Sequence, residues 1–271
     1  MPELNSTYWS SVVNEFKKNP DNLLWRQYSD AINNKFFSQW LSSTMTKRLM
    51  KTDLFDEAVS SGLIPILEKK SMQVYGMDLS SQTVRAAKNR YKNFHGVVSD
   101  VRNLPFDKEV FDVVVSNSTL DHFETVNDIY ISLKELYRVL CRGGKLLITL
   151  DNIENPVIHL RNSLAIQSIQ TFNPAPYYVG QTLDRKQMST MLNEIGFEVK
   201  ELTVIMHFPR VIAVALTKLF QKSQNQKIQA RLLRLFMLFE KIRQTPILHR
   251  TGYFLAAMAI KPTANTISSK R

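Results

Sequence analysis

Three polar residues stand at the ends of short β-rich runs: Asp78 in QVYGMDLS, Asp100 in VVSDVRNLPF and Asn117 in FDVVVSNSTLDHF. If the runs are parallel strands of one sheet, all three reach its carboxyl edge, where open α/β sheets bind their ligands. A carboxylate at the end of the second strand can accept from both hydroxyls of a ribose, and Asp100 is then placed for the exocyclic amine of an adenine. Leu79 and Val101 follow directly and supply the apolar walls of a pocket with few polar groups. The ligand these residue types imply is an adenosine. His122, just past the fourth run, has two readings: it acts as a base or lines the pocket, or it caps the next helix. Tyr177 and Tyr178 either touch a ligand or pack as ordinary amphipathic side chains. A dinucleotide is disfavoured because no GxGxxG occurs, although Asp78 alone suits NAD. No GxSxG nucleophile motif is present, and the five histidines are scattered without ligand spacing, so no metal site is expected.

Such an edge needs strands alternating with crossover helices. Trp9, Val12, Val13 and Phe16 recur at helical spacing, and Asn19-Pro20-Asp21 interrupts the pattern, which predicts two lead-in helices between Ser6 and about Phe37. β-rich runs follow near 47–52, 72–77, 94–99, 110–116 and 144–150. The stretch Asn152 to Gln181 contains Pro156, Pro174 and Pro176 and reads as a lid or substrate segment. A helix from Asp184 to Glu194 is expected to end on a left-handed cap at Gly196, followed by the strand GFEVKELTVIM. The last strand is placed at Tyr253 to Ile260. The expected division is a helical cap at 1–45, an α/β core at 46–207 and 250–262, a basic helical insertion at 208–249, and a frayed tail at 263–271.

Several of these segments, in order, resemble the class I S-adenosylmethionine-dependent methyltransferases, over roughly residues 46–205 and the final strand. VYGMDLS resembles the family's ribose-binding strand end, and SDVRNLPFDKEVFDVVVSNSTLDHF its adenine-binding segment running into strand four. ELYRVLCRGGKLLITLDN resembles its helix, Gly-Gly turn and fifth strand, with Arg142-Gly143-Gly144 suited to leaving a helix for a strand. The resemblance implies a Rossmann-like α/β fold with a mostly parallel seven-stranded sheet, helices on both faces, a helical cap and an antiparallel final strand. It implies S-adenosyl-L-methionine as cofactor, held by Asp53, Phe55, Asp78, Leu79, Asp100, Val101 and Asn117, and a small-molecule or lipid-like acceptor. One motif departs from the family. The glycine-rich turn after strand one is replaced by RLMKTDLFDEAVSSG, with no glycine before Gly62. Asp53, Asp56 or Glu57 could hold the cofactor's ammonium group there, while Asp56 and Glu57 equally suit the first turn of a helix. The alternative to an enzyme is therefore an inactive methyltransferase-like module that binds a membrane surface or a partner.

The chain has 271 residues, 44% of them hydrophobic and 22% charged, which excludes disorder and supports a sizeable core. The single Cys141 excludes an intramolecular disulfide, and MPELNSTYW lacks the regions of a signal peptide, so a cytoplasmic protein is expected. The net charge of +11 falls within residues 208–271, which carry 12 Lys and Arg against the single Glu240. In QKIQARLLRLFMLFEKIR, Ile228, Leu232, Leu235, Phe236, Phe239 and Ile242 recur at helical spacing. This basic amphipathic helix either packs over the sheet edge as a substrate lid or lies on an anionic membrane to reach a lipid-linked acceptor. A nucleic-acid partner is not expected, because no RNA-binding module or exposed aromatic interleaving accompanies the charge.

Overall fold

The computed structural model describes residues 5–18, 23–41, 43–163, 177–220, 226–244 and 247–263. The Asn19-Pro20-Asp21 break, Pro174 and Pro176 of the expected lid, and the tail beyond Thr263 lie outside the described residues. The strands are β1 Thr46–Lys51, β2 Ser71–Asp78, β3 His95–Val98, β4 Phe111–Asn117, β5 Leu140–Asp151, β6 Glu198–Ile205 and β7 Phe254–Ile260. They form one sheet in the order β3-β2-β1-β4-β5-β7-β6. β1 to β5 pair in parallel, and β7 runs antiparallel between β5 and β6. The chain leaves β1 toward β2 and β3, then returns to place β4 on the other side of β1. That reversal opens a crevice at the carboxyl ends of β1 and β4.

Helices connect the strands: α1 Ser6–Lys18, α2 Leu23–Trp40, α3 Phe55–Val59, α4 Ile64–Leu67, α5 Ser81–Arg90, α6 Val126–Val139, α7 Pro156–Ser163, α8 Arg185–Ile195, α9 Arg210–Phe220, α10 Gln226–Leu238 and α11 Leu248–Thr251. Side-chain alternation along the strands divides the core in two. Leu49, Val113, Val115 and Leu147 face the layer containing Tyr28, Ile32 and Phe37 of α2. Met50, Val114, Leu146 and Ile148 face the opposite layer, with Leu133 and Leu136 of α6 and Met188 and Leu192 of α8. Local signals fix the helix ends. Ser80 and Thr125 cap α5 and α6 by accepting from the backbone N–H of Thr83 and Asp128. Asp184 and Gln187 form a reciprocal capping box on α8, and Gly196 ends that helix at φ +110°.

The structure corrects two sequence-based expectations, at the Gly-Gly turn and at Leu235, and it places the insertion. The Gly-Gly turn does not separate helix from strand: Leu140 already pairs with Phe111, and the register resumes at Lys145 opposite Val113. Gly143, at φ +79°, shapes a bulge inside β5 whose N–H donates to the Lys261 carbonyl at 2.7 Å. The described part of the insertion packs on α2, and its 3-10 turn Phe239–Gln244 also lies against the edge strand β6. Phe236 of α10 is fully buried, stacked on Phe208 with centroids 3.9 Å apart and edge-on to Tyr28 at 5.7 Å. Glu240 ties this layer down by accepting from Tyr28 Oη and from the His207 N–H. Leu235, placed on the packed face by its spacing, is instead 45% exposed, because the face turned to α2 is centred on Phe236. Among the described residues no helix is long and apolar enough to cross a membrane.

Candidate functional site

The turn after β1 is built by a buried ion pair instead of glycines. Lys51 is fully buried, and its Nζ donates to Glu57 Oε2 at 3.0 Å and to the Asp53 carbonyl at 2.6 Å. Burial opposes the lysine's charge, but Asp53 and Glu57 outweigh it and hold its pKa above the usual lysine value. Glu57 also accepts from the N–H of Leu63 at 2.7 Å and of Ile64 at 3.3 Å. It is thus consumed by the scaffold and is not a ligand for an ammonium group. Asp56 is paired with Arg26 at 3.0 Å. Asp53 is the most loosely held of the three acids: its Oδ2 lies 3.5 Å from Lys51 Nζ and accepts from Thr119 Oγ1 at 3.1 Å, and its Oδ1 accepts from Phe55 N–H at 3.1 Å. No residue of this turn has a positive φ. Leu54 tucks into the core beside Gly76, where a Cβ would sit 2.6 Å from its Cδ2, so the backbone of the turn faces the crevice without needing glycine.

At the end of β2, Asp78 is 8% exposed, and its two oxygens each accept one backbone bond, from Ser80 at 2.8 Å and Leu54 at 3.1 Å. Each oxygen keeps a further lone pair for a hydroxyl donor. Burial pushes its pKa up to about 7, the bond from Ser80 opposing and the Asp53 charge adding to the rise. Beyond β3, Asp100 is gripped by Arg102, whose Nη2 lies 2.7 Å from Oδ2, and Arg102 also reaches Asp128 at 2.9 Å. Its carboxylate is therefore held in place, though already in an ion pair that the sequence did not reveal. At the end of β4, Asn117 Oδ1 accepts from Thr149 at 3.0 Å, and Ser118 follows at φ +50°, a left-handed residue without glycine.

One cavity of about 390 Å³ joins these positions. Asp53, Phe55, Asp78, Leu79, Asp100, Val101, Asn117, His122 and Tyr177 all line it. Tyr178 does not: successive residues of the extended segment point to opposite sides, and its backbone N–H and carbonyl bond Tyr8 Oη and the His122 ring. An adenosine fits the chemistry of one end, where Asp78 offers two acceptor oxygens between the apolar walls of Leu79, Val101 and Met77. The other end is aromatic and was not legible in the sequence. Trp9 and Phe16 of α1, Trp25 of α2 and Phe254 of β7 come together there with Tyr177 and Arg210.

His122 sits at the junction. It lies in a 3-10 turn, Leu120–His122, and does not cap the next helix, a role that falls to Thr125. Its Nδ1 is 3.0 Å from the Tyr178 carbonyl, which can only accept, so Nδ1 carries a proton and, in the neutral ring, Nε2 carries the lone pair. The ring packs on Trp9 at 4.8 Å and edge-on to Tyr177 at 5.5 Å. Behind it, 3.9 Å from Nε2, lies Asp121 Oδ1, buried and without a hydrogen-bond partner. Burial pushes Asp121 up to about 6 against the opposing influence of His122, with Asp151 adding to the rise. Asp121 is fixed by bonds to Oδ2 from Ser118 Oγ and Asp151 N–H, both at 2.9 Å. Nε2 is thus a proton acceptor whose protonated form a carboxylate would stabilise.

Residues 37–148 match the family model described as a methyltransferase domain. The 2-phytyl-1,4-naphtoquinone methyltransferase of Nostoc punctiforme is 32% identical over 156 residues, covering 50% of this chain and 64% of that protein. The probable tRNA methyltransferase 9B of Homo sapiens is 38% identical over 82 residues, covering 30% of this chain and 18% of that protein. The chain spans less than two thirds of the length of these curated relatives. Among solved structures, the N-methyltransferase NodS of Bradyrhizobium japonicum, in complex with S-adenosyl-L-homocysteine, superposes with a TM-score of 0.58 at 14% identity, covering 96% of this chain and 100% of that one. The chain therefore carries a methyltransferase domain set in the class I S-adenosylmethionine-dependent methyltransferase fold.

Proposed function

We propose that this chain binds S-adenosylmethionine at the carboxyl edge of β1, β2 and β4 and methylates a small or lipid-like acceptor at the aromatic end of the same cavity. The observation that carries the reading is that one cavity is lined both by Asp78, Leu79, Asp100 and Val101 and by His122, Trp9, Phe16 and Tyr177. Asp78 holds the ribose hydroxyls, Asp100 and the flanking Leu79 and Val101 the adenine, and Asp53 the ammonium group. The bound cofactor supplies a methyl group on a positively charged sulfur, ready for in-line displacement. The protein's share is positioning, desolvation and proton removal. Trp9, Phe16 and Tyr177 exclude water and orient the acceptor. His122 Nε2 takes the acceptor's proton, and Asp121 stabilises the resulting imidazolium. Tyr177, pushed up to about 12 by burial, stays a neutral phenol at physiological pH and serves as wall rather than base.

The glycine-free first turn is compatible with an active enzyme, because Lys51 and Glu57 shape the loop by other means. Incubation of the purified chain with methyl-labelled cofactor and a small-molecule extract, with a tRNA fraction in parallel, tests the reading. Label is expected in the organic-soluble fraction and absent with Asp78→Ala. Label in the tRNA alone would overturn the small-acceptor assignment, and label in neither would favour a non-catalytic module.

A further inference from the structure

The aromatic end of the cavity holds a cation that has no ion-pair partner among the described residues. Arg210, in the first turn of α9, is 5% exposed and lines the cavity. Its Nη1 donates to Tyr253 Oη at 3.1 Å, while Nε is buried without an acceptor. Among the described residues no carboxylate lies within ion-pair distance of it. Asp151, whose charge acts on Arg210, is already held by Arg161 at 2.7 Å. The guanidinium carbon instead sits 5.7 Å from the ring centroid of Trp25, 5.8 Å from Tyr177 and 5.9 Å from Tyr253. Ring faces attract a cation but do not neutralise it. Burying an unpaired ion is costly, and an anionic ligand that completed the pair would offset that cost.

Charge balance separates this cation from the others in the cavity. Arg26 is paired with Asp56 beside the turn after β1, and Arg102 with Asp100 and Asp128 beside the adenine end. Among the described residues Arg210 is the one of these three arginines with no carboxylate within ion-pair distance, and it stands between aromatic walls. We infer that the acceptor is a planar, unsaturated or aromatic carboxylate, whose carboxylate pairs with Arg210 while its flat body lies against Trp25 and Tyr177. The guanidinium fork matches the two oxygens of a carboxylate, and a single positive charge balances a single negative one, which favours a carboxylate over a phosphate dianion. The inference rests on the proposed assignment of this end of the cavity to the acceptor.

Benzoate and its neutral isostere benzamide are the probes, titrated by thermal shift into the protein saturated with S-adenosylhomocysteine so that the cofactor's own carboxylate site is filled. Wild type is expected to bind benzoate at least about tenfold tighter than benzamide. Arg210→Met should abolish the preference and leave S-adenosylhomocysteine affinity within about threefold. It should also melt no lower than wild type, since it removes an unpaired buried charge. Arg210→Lys, which keeps the charge, should retain a weakened preference and guards against misfolding of the methionine variant. Equal binding of the two probes to wild type, or a preference that survives Arg210→Met, would overturn the inference. So would a loss of S-adenosylhomocysteine affinity in Arg210→Met as large as the loss for benzoate, because Arg210 would then serve the cofactor. If S-adenosylhomocysteine fails to bind wild type, the proposed function falls, while the same benzoate and benzamide comparison run without it still decides the role of Arg210.

Discussion

Asp78 should make both stability and cofactor affinity depend on pH in a defined direction. Its ordinary value is 3.8, and burial in the folded state pushes it up to about 7. The folded state therefore holds this proton more tightly than the unfolded chain, and between those two values the Asp78 contribution to stability falls as pH rises. Integrating the difference gives a penalty of about 1.7 kcal/mol at pH 5 and about 4 kcal/mol at pH 8. Asp78→Asn cannot ionise. It loses an acceptor for one of the N–H groups of Leu54 and Ser80, but that cost, about 1–3 kcal/mol, does not vary with pH. The stability of the variant minus that of wild type should accordingly rise by about 2–3 kcal/mol between pH 5 and pH 8. Urea unfolding at four pH values measures it. A difference that stays flat with pH would refute the argument. Hydroxyl donors prefer the ionised form, so S-adenosylhomocysteine affinity of wild type should weaken by up to about tenfold per pH unit below pH 7, and the variant should lack this dependence.

Other positions give independent tests. Lys51→Met strands Glu57 in the core and should cost about 3–5 kcal/mol in chemical denaturation, whereas Lys51→Met with Glu57→Leu should recover most of it. His122→Asn should lower kcat by about 10²–10⁴-fold with little change in S-adenosylhomocysteine affinity, measured once an acceptor is in hand. Gly180 crosses the 3-10 turn so closely that a Cβ would lie 2.0 Å from the Phe123 carbonyl oxygen. Gly180→Ala should therefore displace Tyr177 and Tyr178, raise the acceptor KM and lower stability by about 1–3 kcal/mol.

The end proposed for the cofactor was legible because its residues sit at strand ends in short local patterns. Asp78, Asp100 and Asn117 each follow a run of β-formers, and parallel pairing brings such ends together without further information. Gly196 and the Asp184 cap were readable for the same reason. The aromatic end, proposed for the acceptor, was not, since Trp9, Trp25 and Arg210 come from three separate helices and meet only through tertiary packing. Arg210 in particular reads in the sequence as one more basic residue of a basic segment. Tyr177 and Tyr178 are neighbours, and nothing local decides which faces the cavity. The Lys51–Glu57 pair hid behind the missing glycines: the acidic residues were visible, but a lysine at a strand end does not announce that it is buried. Similarly, the spacing of α10 allowed several apolar faces, and contact with α2 selected the one centred on Phe236.

Isothermal titration of the whole chain with S-adenosylhomocysteine, with thermal melts in parallel, tests the central claim most directly. The account predicts one site per chain, abolished by Asp78→Ala, and a stabilisation of about 2.7 kcal/mol when the ligand stands at 100 times its dissociation constant. Neither heat nor a shift at millimolar ligand would contradict the assignment of this cavity to the cofactor.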